Sequence, residues 1–249
     1  MSKTILITGA SSGLGAEMAR QFAAKGHDLA LAARRLDNLE ALKAEILAAH
    51  PDRRVEVRAL DVTDHDQVFE VFRGFAEDFG TIDRFVVNAG LGKGAPLGTG
   101  RFYANRQTSE TNFIGALAQT EAAAEILREQ GHGHFVMVSS VSAMRGLPGN
   151  VTAYAATKAG VAHLAEGLRA DLLGTPIKVT VLYPGFIESE MTSRNPGNKM
   201  LIVSTEDGVR AMVSAIEKEK ASAAVPQWPW EPLGFALKHL PLTLARRLM

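Results

Sequence analysis

Short apolar runs alternate with longer stretches of helical spacing along nearly the whole chain, and this constrains the fold more than any other feature. The runs are Lys3–Thr8, Asp28–Ala33, Val55–Asp61, Arg84–Asn88, His134–Ser139, Ile177–Tyr183 and Ala223–Pro226. Their Val, Ile, Leu and Phe content predicts strands covered on both faces, as in a parallel sheet. Between them, Leu36–His50 carries a stripe of Leu36, Leu39, Leu42, Ile46 and Leu47. Asp66–Phe79 carries Val68, Val71, Phe72, Phe75 and Phe79, with Thr63 or Asp64 as its cap. Strand–helix alternation repeated about six times implies right-handed βαβ crossovers with helices on both faces of the sheet. The expected fold is therefore α/β, a Rossmann-type doubly wound parallel sheet. No linker, composition shift or repeat divides the chain, so residues 1–225 read as one domain. Residues 226–249 read as an apolar tail extending it, with Trp228, Trp230, Leu233, Phe235, Leu237, Leu240, Leu242, Leu244 and Leu248.

Composition removes several classes of function. Lys and Arg total 27 against 27 Asp and Glu, and this balance argues against a protein that grips nucleic acid by neutralising phosphates. There is no cysteine, which excludes disulfides, thiol nucleophiles and thiolate metal sites. No apolar stretch approaches the roughly 18 residues of a membrane span. The first apolar run passes straight into glycines and is too short for a signal peptide. A cytoplasmic protein is expected.

Directly after the first run comes Thr8-Gly9-Ala10-Ser11-Ser12-Gly13-Leu14-Gly15, followed by a helical pattern over Glu17–Lys25. Between strand and helix, such a turn lets backbone N–H groups approach a pyrophosphate that the helix N-terminus favours. The spacing is T-G-x-x-x-G-x-G rather than G-x-G-x-x-G. At the end of the second strand, 18 residues past Gly15, a carboxylate would normally bind a ribose 2′-hydroxyl. Here Ala33 is followed by Arg34 and Arg35, which suit a 2′-phosphate and favour NADP(H) over NAD(H), although NAD(H) stays open. The plainer alternative is two solvated arginines at a helix start, where the helix dipole disfavours them.

Tyr154-Ala155-Ala156-Thr157-Lys158 begins 14 residues after Ser140, on a helical pattern running to Leu172. Tyr154 and Lys158 thus stand i, i+4 on one face. A phenol with a pKa near 10 needs about 4 kcal/mol to become a base at about pH 7. One ammonium about 4 Å away supplies about that much at an effective dielectric near 20. Taken alone, such a pair is common on solvated helix faces.

The order of these motifs is more specific than any one of them. The glycine turn, Asn88-Ala89-Gly90, Asn112, Ser140 and Tyr154-x-x-x-Lys158 resemble the single-domain short-chain dehydrogenase/reductase family, from Lys3 to about Met191. The resemblance implies that Gly9, Ser11, Ser12, Gly13, Leu14 and Gly15 surround the pyrophosphate, and that Asp61 and Val62 meet the adenine. Asn88, Ala89 and Gly90 would lie beside the ribose. Pro184, Gly185, Ile187 and Ser189 would contact the nicotinamide carboxamide. It also implies that Ser140 binds the substrate oxygen, Tyr154 transfers the proton, and Lys158 lowers the tyrosine pKa and binds ribose hydroxyls. Asn112 would hold a water linking Lys158 to solvent. The activity implied is hydride transfer between an alcohol and a ketone or aldehyde, more often as a reductase. The partner is a small carbonyl or alcohol substrate, and a homodimer or homotetramer is expected. A non-catalytic NADP(H)-binding sensor is the competing class, but it has no need of the Ser140–Tyr154–Lys158 proton relay. A methyltransferase also uses a glycine-rich turn, and leaves the tyrosine–lysine helix and Arg34 without a role.

The chain departs from the family pattern in places. Val87 stands where the family has a first asparagine, the segment from Ser140 to Tyr154 is one residue longer, and Ser139 competes for the serine role. The glycine-rich strand that ends many relatives is replaced by Val225-Pro226-Gln227-Trp228-Pro229-Trp230. His132 and His134 read as a solvent-facing turn rather than a metal site, and Glu188 and Glu190 as solvated loop residues. Phe186–Val203 resembles a lid over the cofactor. The tail is expected to pack on its own domain or on a second subunit, the sharper alternative being a membrane interface or a lipophilic substrate.

Overall fold

The computed structural model describes residues 2–189 and 201–245. Seven strands form one parallel sheet: β1 (Thr4–Thr8), β2 (Asp28–Ala33), β3 (Val55–Ala59), β4 (Arg84–Val87), β5 (Gly133–Val138), β6 (Ile177–Pro184) and β7 (Ser222–Val225). Their order is β3-β2-β1-β4-β5-β6-β7. The chain winds outward from β1 to β3, returns to the centre at β4 and winds out the other way. That reversal leaves a crevice beyond the carboxyl ends of β1 and β4, where ligands of such sheets bind.

The inner strands bury both faces, which is why their runs are apolar without strict alternation, whereas the edge strands β3 and β7 are only partly covered. Leu6 belongs to the core beneath one set of helices, whereas Ile5 and Ile7 belong to the other. One layer contains α3 (His65–Phe79), α5 (Gly115–Gln130) and α6 (Thr152–Asp171), contributing Phe72, Phe75, Ala123 and Val161. The opposite layer contains α1 (Gly13–Ala24), α2 (Leu36–Ala49) and α7 (Thr205–Glu217), contributing Met18, Phe22, Leu39 and Met212. Asp64 caps α3, its carboxylate accepting from the Gln67 N–H at 3.2 Å. Leu36, expected in the buried stripe of α2, is exposed at the helix start.

The boundaries shift for local reasons. α1 begins at Gly13, before the apolar pattern that starts at Glu17, so the glycine turn runs straight into helical backbone. β3 stops at Ala59 because Asp61 turns the chain, accepting from Thr63 N at 3.0 Å and Thr63 Oγ1 at 2.8 Å. After β4, α4 (Phe102–Ser109) passes through a π-helical turn, Glu110–Ile114, into α5.

His134 corrects an expectation. It lies on β5, 2 % exposed, not on a solvent-facing turn. Its Nδ1 accepts from Arg84 Nε at 3.1 Å, which fixes the neutral tautomer with Nε2–H directed to Thr180 Oγ1 at 2.8 Å. Arg84 also pairs with Glu217, whose carboxylate stands 3.6 Å from His27 Nε2. Burial first, then the charges of Arg84 and Lys3, push the His134 pKa down to about 3.

The tail is helical. In α8 (Gln227–His239), Trp230, Gly234 and Leu237 face inward, while Trp228 and Phe235 are 79 % and 68 % exposed. Trp228 takes extended backbone, as residues before proline do. The short α9 (Leu242–Ala245) buries Ala245 and exposes Leu242 and Leu244. Part of the tail thus packs on the chain's own domain. Arg246, Arg247 and Leu248 lie outside the described residues.

Candidate active site

The glycine turn needs its glycines for steric reasons at two points. Gly9 has φ +65°, and a Cβ there would stand 2.9 Å from Ala89 Cα. A Cβ on Gly15 would stand 2.3 Å from the Gly9 carbonyl oxygen. Side chains at the ends of β1 and β4 lock this close approach. Asn88 Nδ2 donates to Thr8 O at 2.9 Å, and Thr8 Oγ1 accepts from the N–H groups of Asn88 and Ala89 at 3.1 and 3.2 Å. Ser12 precedes α1 in extended conformation without capping it by its side chain. Its hydroxyl instead accepts from Arg35 Nη2 at 2.5 Å, and Ser11 Oγ accepts from Arg35 Nε at 3.3 Å. The first N–H groups of α1 therefore lack a side-chain cap and face the crevice beside two arginines, a donor set that fits a phosphate. Arg34 is exposed and has no hydrogen bond or ion pair among the described residues.

At the other strands, β5 and α6 bring Ser140, Tyr154 and Lys158 together. Ser139 and Ser140 separate cleanly: Ser139 Oγ donates to Lys158 O at 2.7 Å, inside the fold, whereas Ser140 accepts from Ser142 N at 3.1 Å and hydrogen-bonds Tyr154. Lys158 Nζ donates to Val138 O at 2.9 Å and lies 5.9 Å from the Tyr154 ring centroid. Burial lowers the Lys158 pKa to about 8. The Tyr154 pKa moves opposite to the sequence arithmetic: burial raises it, and only the Ser140 hydrogen bond opposes this. The lysine spends one of its donors on a carbonyl, and desolvation of the phenol outweighs what its neighbours supply.

Asn112 lies in the π-helical turn and is 1 % exposed. Its Nδ2 donates to Leu91 O at 2.9 Å and Thr157 Oγ1 at 3.4 Å, and its Oδ1 accepts from Leu91 N at 2.6 Å. One lone pair of Oδ1 remains. Both Oδ1 and Lys158 Nζ lie 3.5 Å from the place a Gly90 Cβ would occupy, so the glycine keeps the space beside them open.

These groups line one cleft of about 1260 Å³. It holds Gly9, Ser11, Ser12, Gly13, Leu14, Arg34, Arg35, Asp61, Val62, Asn88, Ala89 and Gly90 together with Ser140, Tyr154, Lys158, Pro184, Gly185, Ile187 and Ser189. Of the residues singled out from the sequence, Gly15 and Asn112 stand behind this lining, as supports. Ser189 comes within 3.6 Å of where a Gly13 Cβ would be. The ends of the expected lid are pinned, with Glu188 N donating to Val203 O and Val203 N to Phe186 O, both at 3.0 Å. Glu190, Met191 and Asn195-Pro196-Gly197-Asn198 lie outside the described residues. Sequence reasoning missed Thr8 and Thr157, whose hydroxyls tie the site together. It also missed Lys93, Tyr103, Arg106 and Gln107, which line the cleft from α4 and the loop before it. Threonine at a strand end or in a helix carries no signal of such a partner.

A family model described as short chain dehydrogenase matches residues 3–200. An uncharacterized oxidoreductase of Mycobacterium tuberculosis is 54 % identical over 98 % of this chain and 96 % of its own length. Among solved structures, a levodione reductase superposes with a TM-score of 0.80 at 29 % identity, covering 89 % of this chain and 94 % of that one. An alcohol dehydrogenase from Thermococcus sibiricus, complexed with 5-hydroxy-NADP, gives 0.80 at 26 % identity over 90 % and 96 %. The glycine turn, the tyrosine–lysine helix and these likenesses agree: the chain belongs to the short-chain dehydrogenase family and is an oxidoreductase acting on CH–OH groups.

Proposed function

We propose that the protein is an NADP(H)-dependent reductase of ketones or aldehydes, with Tyr154 as proton donor. The observation that carries the cofactor preference is the end of β2, where Ala33 replaces a carboxylate and Arg34 and Arg35 line the same cleft as Tyr154. Arg34, without a hydrogen-bond or ion-pair partner among the described residues, would take a 2′-phosphate, and Arg35 can exchange its serine hydroxyls for phosphate oxygens at little cost. The α1 N-terminus and the Gly9–Gly15 backbone would hold the pyrophosphate. Asp61 and Val62 would flank the adenine, Asn88, Ala89 and Gly90 the ribose, and Pro184, Gly185, Ile187 and Ser189 the carboxamide. When bound, the cofactor supplies the hydride.

The rest of the chemistry falls to the protein. Ser140 and the Tyr154 hydroxyl would converge on the substrate oxygen. Burial keeps the phenol protonated, which suits an acid that delivers its proton to the oxygen as negative charge develops there. Lys158, with its remaining hydrogens, would bind the ribose hydroxyls and return a proton to Tyr154 through them. The spare lone pair of Asn112 Oδ1 would hold the water that supplies Lys158 from solvent. The protonated tyrosine is the form from which reduction would start, whereas oxidation would start from tyrosinate. Steady-state kinetics with NADPH and NADH test the cofactor assignment: a lower KM for NADPH is expected, and preference for NADH refutes it. Arg34→Ala should raise the NADPH KM and leave the NADH KM near its original value.

A further inference from the structure

The cleft carries a second pair of cations that the cofactor reading leaves unassigned. Arg34 and Arg35 stand at the end of β2, whereas Lys93 and Arg106 line the cleft from segments that follow β4. Arg106 lies on α4, is exposed, and makes no side-chain hydrogen bond or ion pair among the described residues. Lys93 is exposed as well. Its Nζ donates to Gln107 Oε1 at 2.9 Å, and it has no carboxylate partner among the described residues. Glu110, one turn past Arg106, also lines the cleft, and no ion pair joins it to either cation. Elsewhere the fold pairs its guanidinium groups, with Arg20, Arg58, Arg84 and Arg210 each meeting a carboxylate.

The backbone of this loop is fixed on both sides of Lys93. Leu91 is bracketed by the Asn112 amide, its N donating to Oδ1 at 2.6 Å and its O accepting from Nδ2 at 2.9 Å. The Lys93 carbonyl accepts from Thr108 Oγ1 on α4, and the Asn105 amide brackets Ala95 with two bonds of 3.0 Å. Between them, Gly94 packs so closely on Asn150 that a Cβ would fall 2.1 Å from the Asn150 carbonyl oxygen. Asn150 lines the cleft too, in the 3₁₀ turn Gly149–Val151 that leads into α6 and Tyr154. The loop is thus strung between the residue that supports Lys158 and the start of the helix that presents Tyr154. That places its cation on the flank of the reacting groups, across β1 and β4 from Arg34 and Arg35.

We infer that Lys93 and Arg106 form a subsite for a carboxylate on the substrate. The preferred substrate is then an oxo acid, in which the carboxylate is separate from the carbonyl that is reduced. This rests on the reductase reading given above. A guanidinium offers a carboxylate two parallel N–H donors, and the ammonium adds a point charge with hydrogens to spare. Glu110 decides between anions: with it, the two cations leave one positive charge, which suits a single carboxylate better than a phosphate.

The test sets 4-oxopentanoate, 5-oxohexanoate and 6-oxoheptanoate each against its isosteric amide, in steady-state kinetics with NADPH. In at least one pair the acid should have the higher kcat/KM. Arg106→Gln and Lys93→Gln, both at exposed positions, should each lower that acid-to-amide ratio about fivefold or more. Amides that match or exceed the acids in every pair overturn the inference, and so does an unchanged ratio in either variant. A raised NADPH KM with an unchanged ratio also overturns it, giving the cations to the cofactor. Calorimetric titration of the NADP⁺-loaded enzyme reads binding apart from turnover. There the preferred acid should bind more tightly than its amide, by a smaller margin in Arg106→Gln. That binding preference without turnover of any of these ketones refutes the reductase reading and leaves the subsite standing. Turnover without the preference refutes the subsite and leaves the reductase.

Discussion

Acidification should destabilise this protein through one buried imidazole, and the structure sets the size of the effect. His134 is locked as the neutral tautomer by Arg84 and Thr180, with its pKa near 3. In the unfolded chain it titrates near 6.5. Below pH 6.5 the unfolded state therefore takes up a proton that the native state refuses, and stability falls as pH drops from 6.5 toward 3. At pH 5 the loss from this one group is about 2 kcal/mol relative to pH 7.5, and over the whole window it approaches about 5 kcal/mol. For a chain of this length, 2 kcal/mol corresponds to a Tm lowered by about 4–8 °C.

His134→Asn isolates the term. Asparagine offers an oxygen to Arg84 Nε where Nδ1 stood, and it does not titrate. It loses stability at neutral pH, since Thr180 Oγ1 is left without its imidazole donor. Between pH 7.5 and 5, however, its unfolding free energy should fall by about 2 kcal/mol less than that of wild type. Burial also depresses the His27 pKa, and Arg84 and His27 oppose the effect of burial on Glu217, which ends lowered. Those groups respond to acid in both proteins and largely cancel in the comparison. Urea unfolding at pH 7.5, 6 and 5 measures the difference. Parallel pH dependence in the two proteins would refute the assignment of His134 as the group that refuses the proton.

Two further expectations concern the site. Tyr154→Phe removes the proposed proton donor while keeping the ring, so kcat should fall by a factor of roughly 10² to 10⁴, with NADPH affinity within a few-fold; near-normal kcat would overturn the mechanism. Gly15→Ala places a methyl 2.3 Å from the Gly9 carbonyl oxygen and 2.8 Å from Asn88 Nδ2. Because the first contact is backbone, the turn must open, at a cost of about 1–3 kcal/mol with weakened nucleotide binding. Wild-type Tm and nucleotide affinity in that variant would show that the tight turn is not what shapes the cradle.

Much of this architecture was legible because its signals are local. Apolar runs mark the inner strands buried on two faces, and Gly9 and Gly15 mark a turn too tight for side chains at those two positions. Tyr154 and Lys158 share a helix face by spacing, and the order of the surrounding motifs singles them out. What escaped depends on partners remote in sequence. Arg84, His134 and Glu217 meet across the ends of β4, β5 and α7, and nothing in His132-Gly133-His134 announces that its second histidine, though at the start of an expected strand, is buried against them. The helix α4 escaped for another reason: it buries only Ala104 and Thr108, so it has no apolar stripe to betray it. The tail reads as apolar throughout, yet its packing splits it, with Trp230 and Leu237 inside and Trp228 and Phe235 outside.

The tyrosine shows most clearly where sequence arithmetic stops. An i, i+4 spacing brings an ammonium near a phenol, and Coulomb's law then favours tyrosinate. Desolvation acts on the same pair in the opposite sense, and spacing says nothing about it. In the folded cleft both side chains are withdrawn from water, so each is driven toward its neutral form: the phenol keeps its proton and the ammonium gives its proton up more readily, at about pH 8. In the proposed mechanism, an acid held protonated on the same helix face as an amine that exchanges protons near neutrality would be a donor with a built-in means of reprotonation. Helical spacing places the two groups on α6; burial in the fold, and not that spacing, determines which of them would hold the proton in the proposed reaction.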